Sequence, residues 1–269
     1  IDAIRAFQSK SINLAGWLTV SIVDGQKENT MTTTNEVQEI NPEILKWFEG
    51  RGISEGNLRE LSVHSGQRRT TGEGSWVVVP HPKGNVIVFP YGPEDTSPVK
   101  YRESGKKFYQ KPGCLSILYN RDVIDDPQVV EGRAPLVIVE GEMDCLSVRE
   151  AGNPFVVSVP DGAPPPFGKD VDPTEYDPDH DDKYRYIRVD WNKLKKIKRI
   201  VIATDSDAPG KRLAEELVRR LGRDRCSFVT YPDDCKDFND VLLKHGPAEV
   251  SRLINVSLPY PVSGVYTLS

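Results

Sequence analysis

The chain has 269 residues, 38% hydrophobic and 28% charged, with 35 Lys and Arg against 40 Asp and Glu and a formal net charge of −5. That length supports one large domain or two modest ones, and the balance excludes a wholly disordered or collagen-like chain. No run of about 18 apolar residues is present, so a membrane partner is not expected, and mild acidity confines any nucleic-acid contact to a local basic patch.

In chain order, residues 1–40 read as an arm and linker, apolar around Leu14, Trp17 and Leu18 and polar over residues 28–39. A helix is predicted from Asn41, which can cap it, through Pro42, Ile44, Leu45, Trp47 and Phe48. Gly50 and Gly52 end it, and Ser54 caps a second helix with Leu58 and Leu61. Val77–Val79, Asn85–Tyr91, Val99–Arg102 and Ile117–Tyr119 are β-rich segments separated by Gly and Pro, a small sheet with hairpins.

From Leu136 strands and helices alternate. Strands are predicted at Leu136–Val139, Phe155–Val159, Arg199–Thr204 and Cys226–Tyr231. Helices are predicted at Glu142–Ala151, Pro209–Leu221 and Phe238–His245. This interleaving predicts a parallel sheet covered on both faces. A long loop rich in Asp and Pro spans roughly 161–190 and reads as an insertion or a functional flap.

The acids fall at strand ends. Leu136–Val139 runs into Glu140, Glu142 and Asp144, Arg199–Thr204 into Asp205 and Asp207, and the last strand leads to Asp237 and Asp240. Ligands of open parallel sheets bind beyond the carboxyl ends of the strands, so the three clusters are expected to converge on one edge. Such carboxylates raise one another's proton affinity unless cations neutralise them, and an all-oxygen donor set selects Mg²⁺ or Mn²⁺. Ions held there orient a nucleophile and stabilise the charge that develops in phosphoryl transfer. Any one of these acids, taken singly, is better explained as a charge favoured by a helix N-terminus; Glu140, Asp205 and Asp207 together at strand ends favour metal binding.

Val139-Glu140-Gly141-Glu142, Asp205-Ser206-Asp207 and Lys236-Asp237-Phe238-Asn239-Asp240 resemble the three signature elements of the TOPRIM domain of primases, topoisomerases and some nucleases. Val159–Pro164 resembles the loop after that domain's second strand. Lys100–Phe108 is similar to the basic segment of the RNA-polymerase subdomain in bacteriophage and Twinkle-type primase-helicases, and Pro259–Leu268 to the segment leading into their helicase. On these motifs the chain, over roughly 41–269, is identified as a member of that family.

The resemblance implies an α/β fold in which a smaller mixed α+β primase (RNA-polymerase) subdomain, 41–132, precedes a TOPRIM parallel-sheet domain, 133–246. Residues 247–269 would form a C-terminal helix and the start of a linker toward a helicase outside this stretch. It implies a DNA primase making short RNA primers on single-stranded DNA by two-metal nucleotidyl transfer. Glu140, Asp144, Asp205 and Asp207 would be catalytic. Glu140, Asp205, Asp207 and Asp237 would hold two Mg²⁺ (or Mn²⁺) ions. Lys100, Arg102, Lys106 and Lys107 would contact nucleotide or DNA, with Gly141 and Gly162 giving close backbone approach. Ribonucleoside triphosphates, a single-stranded template and a helicase, in cis or as a separate replicative helicase, would be the partners. The compartment would be the cytoplasm of a phage-infected or bacterial cell, or an organelle matrix. Animal Twinkle proteins have lost several of these acids; their retention here implies an active polymerase.

Two family features are missing from this stretch. There is no Cys-x-x-Cys pair for a zinc ribbon among Cys114, Cys145, Cys226 and Cys235. There is also no phosphate loop, since Gly210-Lys211 is followed by Arg212 and lacks the upstream glycine. Either both lie outside this stretch or the protein lacks them; the start at Ile1 rather than Met, and the end at Ser269 without an obvious stop, read as part of a longer polypeptide. The scattered cysteines fit a reducing compartment.

The run from Lys193 to Arg199 is the densest positive tract, either a phosphate contact or a solvated helix face. Basic residues around Lys100, mixed with Tyr101, Phe108 and Tyr109, better suit triphosphates and stacked bases. His64, His81, His180 and His245 show no ligand spacing and read as structural or surface residues. Two other functions use the same residues: a TOPRIM nuclease cleaving phosphodiesters with these acids, and a non-catalytic single-stranded-DNA-binding module of a helicase.

Overall fold

The computed structural model describes residues 11–12, 18–19, 39–72, 75–92, 98–103, 107–111, 115–163 and 182–260. The chain divides into two compact units, Ile1–Val37 and Gln38–Ser269. In the first, β1 (Ser11–Ile12) pairs antiparallel with β2 (Leu18–Thr19).

The second unit opens with α1 (Pro42–Glu49), capped by Asn41, whose side chain accepts the Glu43 N–H at 2.9 Å. Ile44 and Phe48 on its inward face are buried. Ser54 caps α2 (Glu55–Glu60) through the Asn57 N–H. An antiparallel sheet follows, in the order β4 (Trp76–Pro80), β3 (His64–Thr70), β5 (Val86–Pro90), β6 (Val99–Glu103), β7 (Lys107–Gln110).

Strand β3 was not expected, because its sequence, HSGQRRT, is polar and shows no apolar alternation. It forms because its backbone pairs on both sides, with the apolar strands β4 and β5. The expected strand at Ile117–Tyr119 is reduced to one bridge, Tyr119 to Ser158. Its apolar character serves the core instead, Tyr119 being 1% exposed and packed on Phe89 and Tyr91.

After a 3-10 turn (Arg121–Asp125) and α3 (Pro127–Val130) comes the second sheet. Its strands are β8 (Leu136–Val139), β9 (Val156–Ser158), β10 (Ile200–Ala203), β11 (Cys226–Phe228) and β12 (Leu258–Pro259). Their spatial order is β12-β11-β10-β8-β9; β8, β9, β10 and β11 are parallel, and β12 is an antiparallel edge. The crossover helices are α4 (Glu142–Glu150) and α7 (Ala208–Leu221), with α8 (Phe238–His245) and α9 (Pro247–Asn255) after β11.

Alternation along the strands fills both faces. Val137, Val139, Val201 and Ala203 join a core with α4, α8, α9, Phe48 and Phe89. Leu136, Ile138, Ile200 and Ile202 join another with Leu213, Leu217 and Val218 of α7. Each fully buried aliphatic side chain contributes about 1.5–3 kcal/mol of transfer free energy. The first core also contains residues of the antiparallel sheet, so the two sheets share packing.

The end of the Asp- and Pro-rich loop is helical: α5 (Arg185–Val189) and α6 (Trp191–Leu194) bury Ile187 and Leu194. The basic run 193–199 is anchored by its apolar residues, while Lys195, Lys196, Lys198 and Arg199 stay exposed. Leu194 and Ile197 point into the core, and Lys193 pairs with Asp125. Residues 164–181 of that loop, and the segment 261–269 that the sequence relates to a helicase linker, lie outside the described residues. Among the described residues no helix is long and apolar enough to cross a membrane.

Candidate active site

Strand order reverses between β8 and β10: the chain leaves β8 for β9 on one side and later returns to β10 on the other. Their register, Ala203 opposite Val139, brings Glu140 and Asp205 out at the same edge. This is the switch point where parallel sheets bind ligands. Glu140 is fixed there by two backbone donors. Ala163 N–H gives 3.1 Å to Oε1, and Asp205 N–H gives 3.4 Å to Oε2. One carboxylate thus joins the loops after β9 and β10.

Asp207 caps α7, its Oδ1 accepting the Gly210 N–H at 2.8 Å. The sequence reading weighed Gly210 only as part of a phosphate loop and did not foresee its packing role. A Cβ there would lie 2.1 Å from the Asp205 carbonyl oxygen, so only glycine lets the helix start press against the Asp205 backbone. The signal was available as the glycine five residues after Asp205. Thr204 adds a hydroxyl bond to the Gly210 carbonyl at 2.8 Å.

Asp237 caps α8 through the Asp240 N–H at 2.7 Å. Its other oxygen pairs with Lys236, whose ammonium also lies 3.5 Å from Asp205 Oδ2. The Ser206 N–H reaches the Lys236 carbonyl at 2.8 Å, stitching the second and third acidic motifs together. Asp144 sits below them, buried, accepting the Asn239 N–H at 3.3 Å. Asn239 in turn bonds Ser147 Oγ and the Arg51 carbonyl.

Burial, then the charges of Asp237 and Asp205, hold the Asp144 carboxyl well above the usual range. Burial and the charge of Glu140 push Asp205 up to about 6, against the pull of Lys236. Burial raises Glu140 as well, opposed by its two backbone donors. Lys236 is the cation that pairs with Asp205 and Asp237 at this edge.

The basic residues divide. Lys100 and Arg102 alternate to the inner face of β6. The Lys100 ammonium lies 2.8 Å from Oε1 of buried Glu142 and donates to the Pro160 carbonyl, also at 2.8 Å. Tyr91 donates its hydroxyl to the same Glu142 oxygen. Gln110 donates to Asp161. One hairpin face therefore straps down the loop Pro160–Ala163 that positions Glu140. Gly162 in that loop has φ +65°, which favours glycine, and a Cβ would lie 3.6 Å from Glu140 Oε1.

Arg102 is sandwiched between the Trp47 and Phe108 rings, 4.7 and 5.0 Å from their centroids. Lys107 pairs across from Glu103, which places it on the opposite, outer face with Tyr101 and Tyr109. The structure therefore separates it from Lys100 and Arg102. Lys106 lies outside the described residues. Gly141 is extended, with φ −140°, and a Cβ would meet nothing closer than 3.7 Å, so the chain itself does not crowd it. Tyr91 and Gln110 are supporting residues the sequence reading missed, and Glu142, named there only as part of the first acidic motif, gains a supporting role; these roles depend on contacts about 50 residues away in sequence.

Glu140, Asp205, Asp207 and Asp237 offer oxygen donors only, which suits a hard divalent cation. Among the described residues they do not form a closed cage: the one set of three donors mutually within 4.8 Å lies elsewhere, at Asp234, Cys235 and His245. An open acidic edge fits Mg²⁺, which keeps several waters and takes only one or two carboxylates directly.

Residues 134–230 match the family model described as the Toprim domain. The chain is 37% identical over 241 residues to the Twinkle homolog protein, chloroplastic/mitochondrial, of Arabidopsis thaliana, covering 86% of this chain and 30% of that protein. It is 37% identical over 248 residues to the Primase homolog protein of the same plant, covering 88% of this chain and 66% of that one. The chain thus spans under two thirds of either relative. The primase fragment of the bacteriophage T7 primase-helicase protein shares the fold, with a TM-score of 0.54 at 18% identity, covering 76% of this chain and 71% of that fragment. With the three acidic motifs gathered at one sheet edge, these likenesses show that the chain belongs to the TOPRIM-domain primases of the bacteriophage and Twinkle-type primase-helicase family.

Proposed function

We propose that the chain is the catalytic part of a DNA primase, a nucleotidyltransferase that makes short RNA primers on single-stranded DNA from ribonucleoside triphosphates. The observation that carries this reading is the joint placement of Glu140 and Lys100. The loop Pro160–Ala163 is held by the Lys100 ammonium at one end and donates to the Glu140 carboxylate at the other. Residues 41–132 form the RNA-polymerase subdomain and 133–246 the TOPRIM domain, with the chemistry between the inner face of β6 and the acidic edge.

Glu140, Asp205, Asp207 and Asp237 would hold Mg²⁺ or Mn²⁺, supported by Asp144. Bound there, the ions neutralise triphosphate charge and activate the attacking hydroxyl. In the reaction the primer 3′-oxygen bonds to the α-phosphorus, the bond from that phosphorus to the β-bridging oxygen breaks, and pyrophosphate leaves. The hydroxyl proton passes to Glu140 or to water that it holds. Two of the three donors of the Lys100 ammonium are engaged, by Glu142 and Pro160, which leaves one for a phosphate oxygen. Arg102, stacked between two rings, offers its edge to the template or the triphosphate. A helicase, in cis or in trans, would bring the template, in an organelle or a bacterial or phage-infected cytoplasm.

The test is synthesis on single-stranded DNA with labelled ribonucleoside triphosphates and Mg²⁺ or Mn²⁺. Metal-dependent short oligoribonucleotides are expected. Metal-dependent loss of the DNA without added triphosphates would assign the acids to a nuclease instead.

A further inference from the structure

We propose that Asp234, Cys235 and His245 form a second metal site, for a borderline divalent ion of the Zn²⁺ class, separate from the acidic edge. The three residues are brought together by the fold: Asp234 and Cys235 lie in the loop after β11, and His245 ends α8. Their ligand atoms lie within 4.8 Å of one another. His245 Nε2 is 3.0 and 3.2 Å from the two Asp234 oxygens, and Cys235 Sγ is 3.5 Å from Asp234 Oδ1.

The sulfur–oxygen spacing of 3.5 Å and the longer nitrogen–oxygen spacing of 3.2 Å lie close to the edges of a tetrahedral site. With Zn–S near 2.3 Å and Zn–O or Zn–N near 2.0–2.1 Å, tetrahedral edges are about 3.5 Å for sulfur to oxygen and about 3.3 Å for nitrogen to oxygen. The donor set is one thiolate, one imidazole and one carboxylate, which selects the zinc class over the Mg²⁺ suited to the acidic edge. Three protein ligands leave the fourth position to water. Access is open on one side: the Asp234 and His245 side chains are 55% and 37% exposed, while Cys235 is buried behind them.

The loop is already shaped for this. The Cys235 N–H closes a turn onto the Pro232 carbonyl, and the Lys244 ammonium bonds the Asp234 carbonyl, leaving the Asp234 carboxylate to face the other two donors. A simple Asp234–His245 ion pair accounts for two of the three residues, but not for a thiol directed at the same carboxylate. Position gives the site its consequence. Asp237 caps the N-terminus of α8 and His245 ends it. An ion at Asp234, Cys235 and His245 would tie the loop that carries Lys236 and Asp237 to the far end of the same helix.

The experiment is a Co²⁺ titration of the reduced chain, followed by absorption. One equivalent of Co²⁺ should give a thiolate-to-cobalt charge-transfer band with tetrahedral d–d absorption, bleached by stoichiometric Zn²⁺. Cys235→Ser should abolish the band, and His245→Ala, at an exposed position that leaves the core intact, should weaken Co²⁺ binding by roughly tenfold or more. Asp205→Ala/Asp207→Ala should keep the band, which separates the site from the acidic edge. Absence of the band in the parent chain, or its survival in Cys235→Ser, would overturn the proposal.

Discussion

The Lys100 ammonium lies 2.8 Å from the carboxylate of Glu142, with both side chains nearly excluded from water, at 12% and 5% exposure. The pair crosses from the antiparallel sheet to the first turn of α4. It leaves Lys100 directed at the loop that carries the Glu140 contact. Breaking such a pair by removing one partner strands the other. Glu142→Ala should therefore cost about 3–5 kcal/mol, because the Lys100 ammonium and the Tyr91 hydroxyl lose their shared acceptor. Glu142→Gln should cost less, since an amide oxygen still accepts. Urea unfolding of the three proteins measures this, and equal losses for Ala and Gln would contradict it.

Gly210→Ala should be more damaging than its size implies. The added Cβ would meet the Asp205 carbonyl oxygen at 2.1 Å, backbone against backbone, so either α7 or the Asp205 loop must move. A loss of about 1–3 kcal/mol is expected, together with weaker Mg²⁺-induced stabilisation as Asp205 shifts. Gly141→Ala, whose Cβ would meet nothing closer than 3.7 Å, should fold with near-parental stability. Thermal melts with and without Mg²⁺ check both.

Arg102 packs between two aromatic rings, so its substitution should separate charge from stacking. Arg102→Lys keeps the charge but gives up the planar stack on Trp47 and Phe108. It should lower stability by about 1–2 kcal/mol, the sum of two partly exposed cation–π contacts. Single-stranded DNA binding should fall for both Arg102→Lys and Arg102→Ala, and the Ala variant should also show a shallower salt dependence. Fluorescence anisotropy at several salt concentrations reads it.

Acidity should favour the metal-free fold at this edge. Burial and Glu140 raise Asp205 from its ordinary 3.8 to about 6. The folded chain therefore holds this proton more tightly than the unfolded chain, and stability contributed by Asp205 falls as pH rises from about 4 to about 6. In chelator, the parent should show that decline and Asp205→Asn should show less of it. Added Mg²⁺ should flatten the parent's decline by stabilising the ionised form. An Asp205→Asn profile identical to the parent would contradict the assignment.

The parallel half of the fold was legible because its determinants are local. Four-residue apolar strands such as Leu136–Val139 and Ile200–Ala203 end in acids, and α7 carries its own amphipathic stripe. The convergence of Glu140 and Asp205 followed from topology alone. Strand β3 was not legible, because its stability comes from pairing on both edges rather than from its side chains. Lys107 was grouped with Lys100 by composition, and only the register against Glu103 turns it to the other face. His245 looked isolated because its hydrogen-bond partner Asp234 lies eleven residues upstream, at the other end of α8 in sequence.

The central claim is that the acidic edge at the β8–β10 switch performs nucleotidyl transfer. The most direct measurement compares the chain with Asp205→Ala/Asp207→Ala in Mg²⁺-dependent primer synthesis on single-stranded DNA, with DNA binding recorded for both. Labelled oligoribonucleotides from the parent, absent from a variant that folds and still binds DNA, are the predicted result. Equal synthesis by the two proteins would contradict the account.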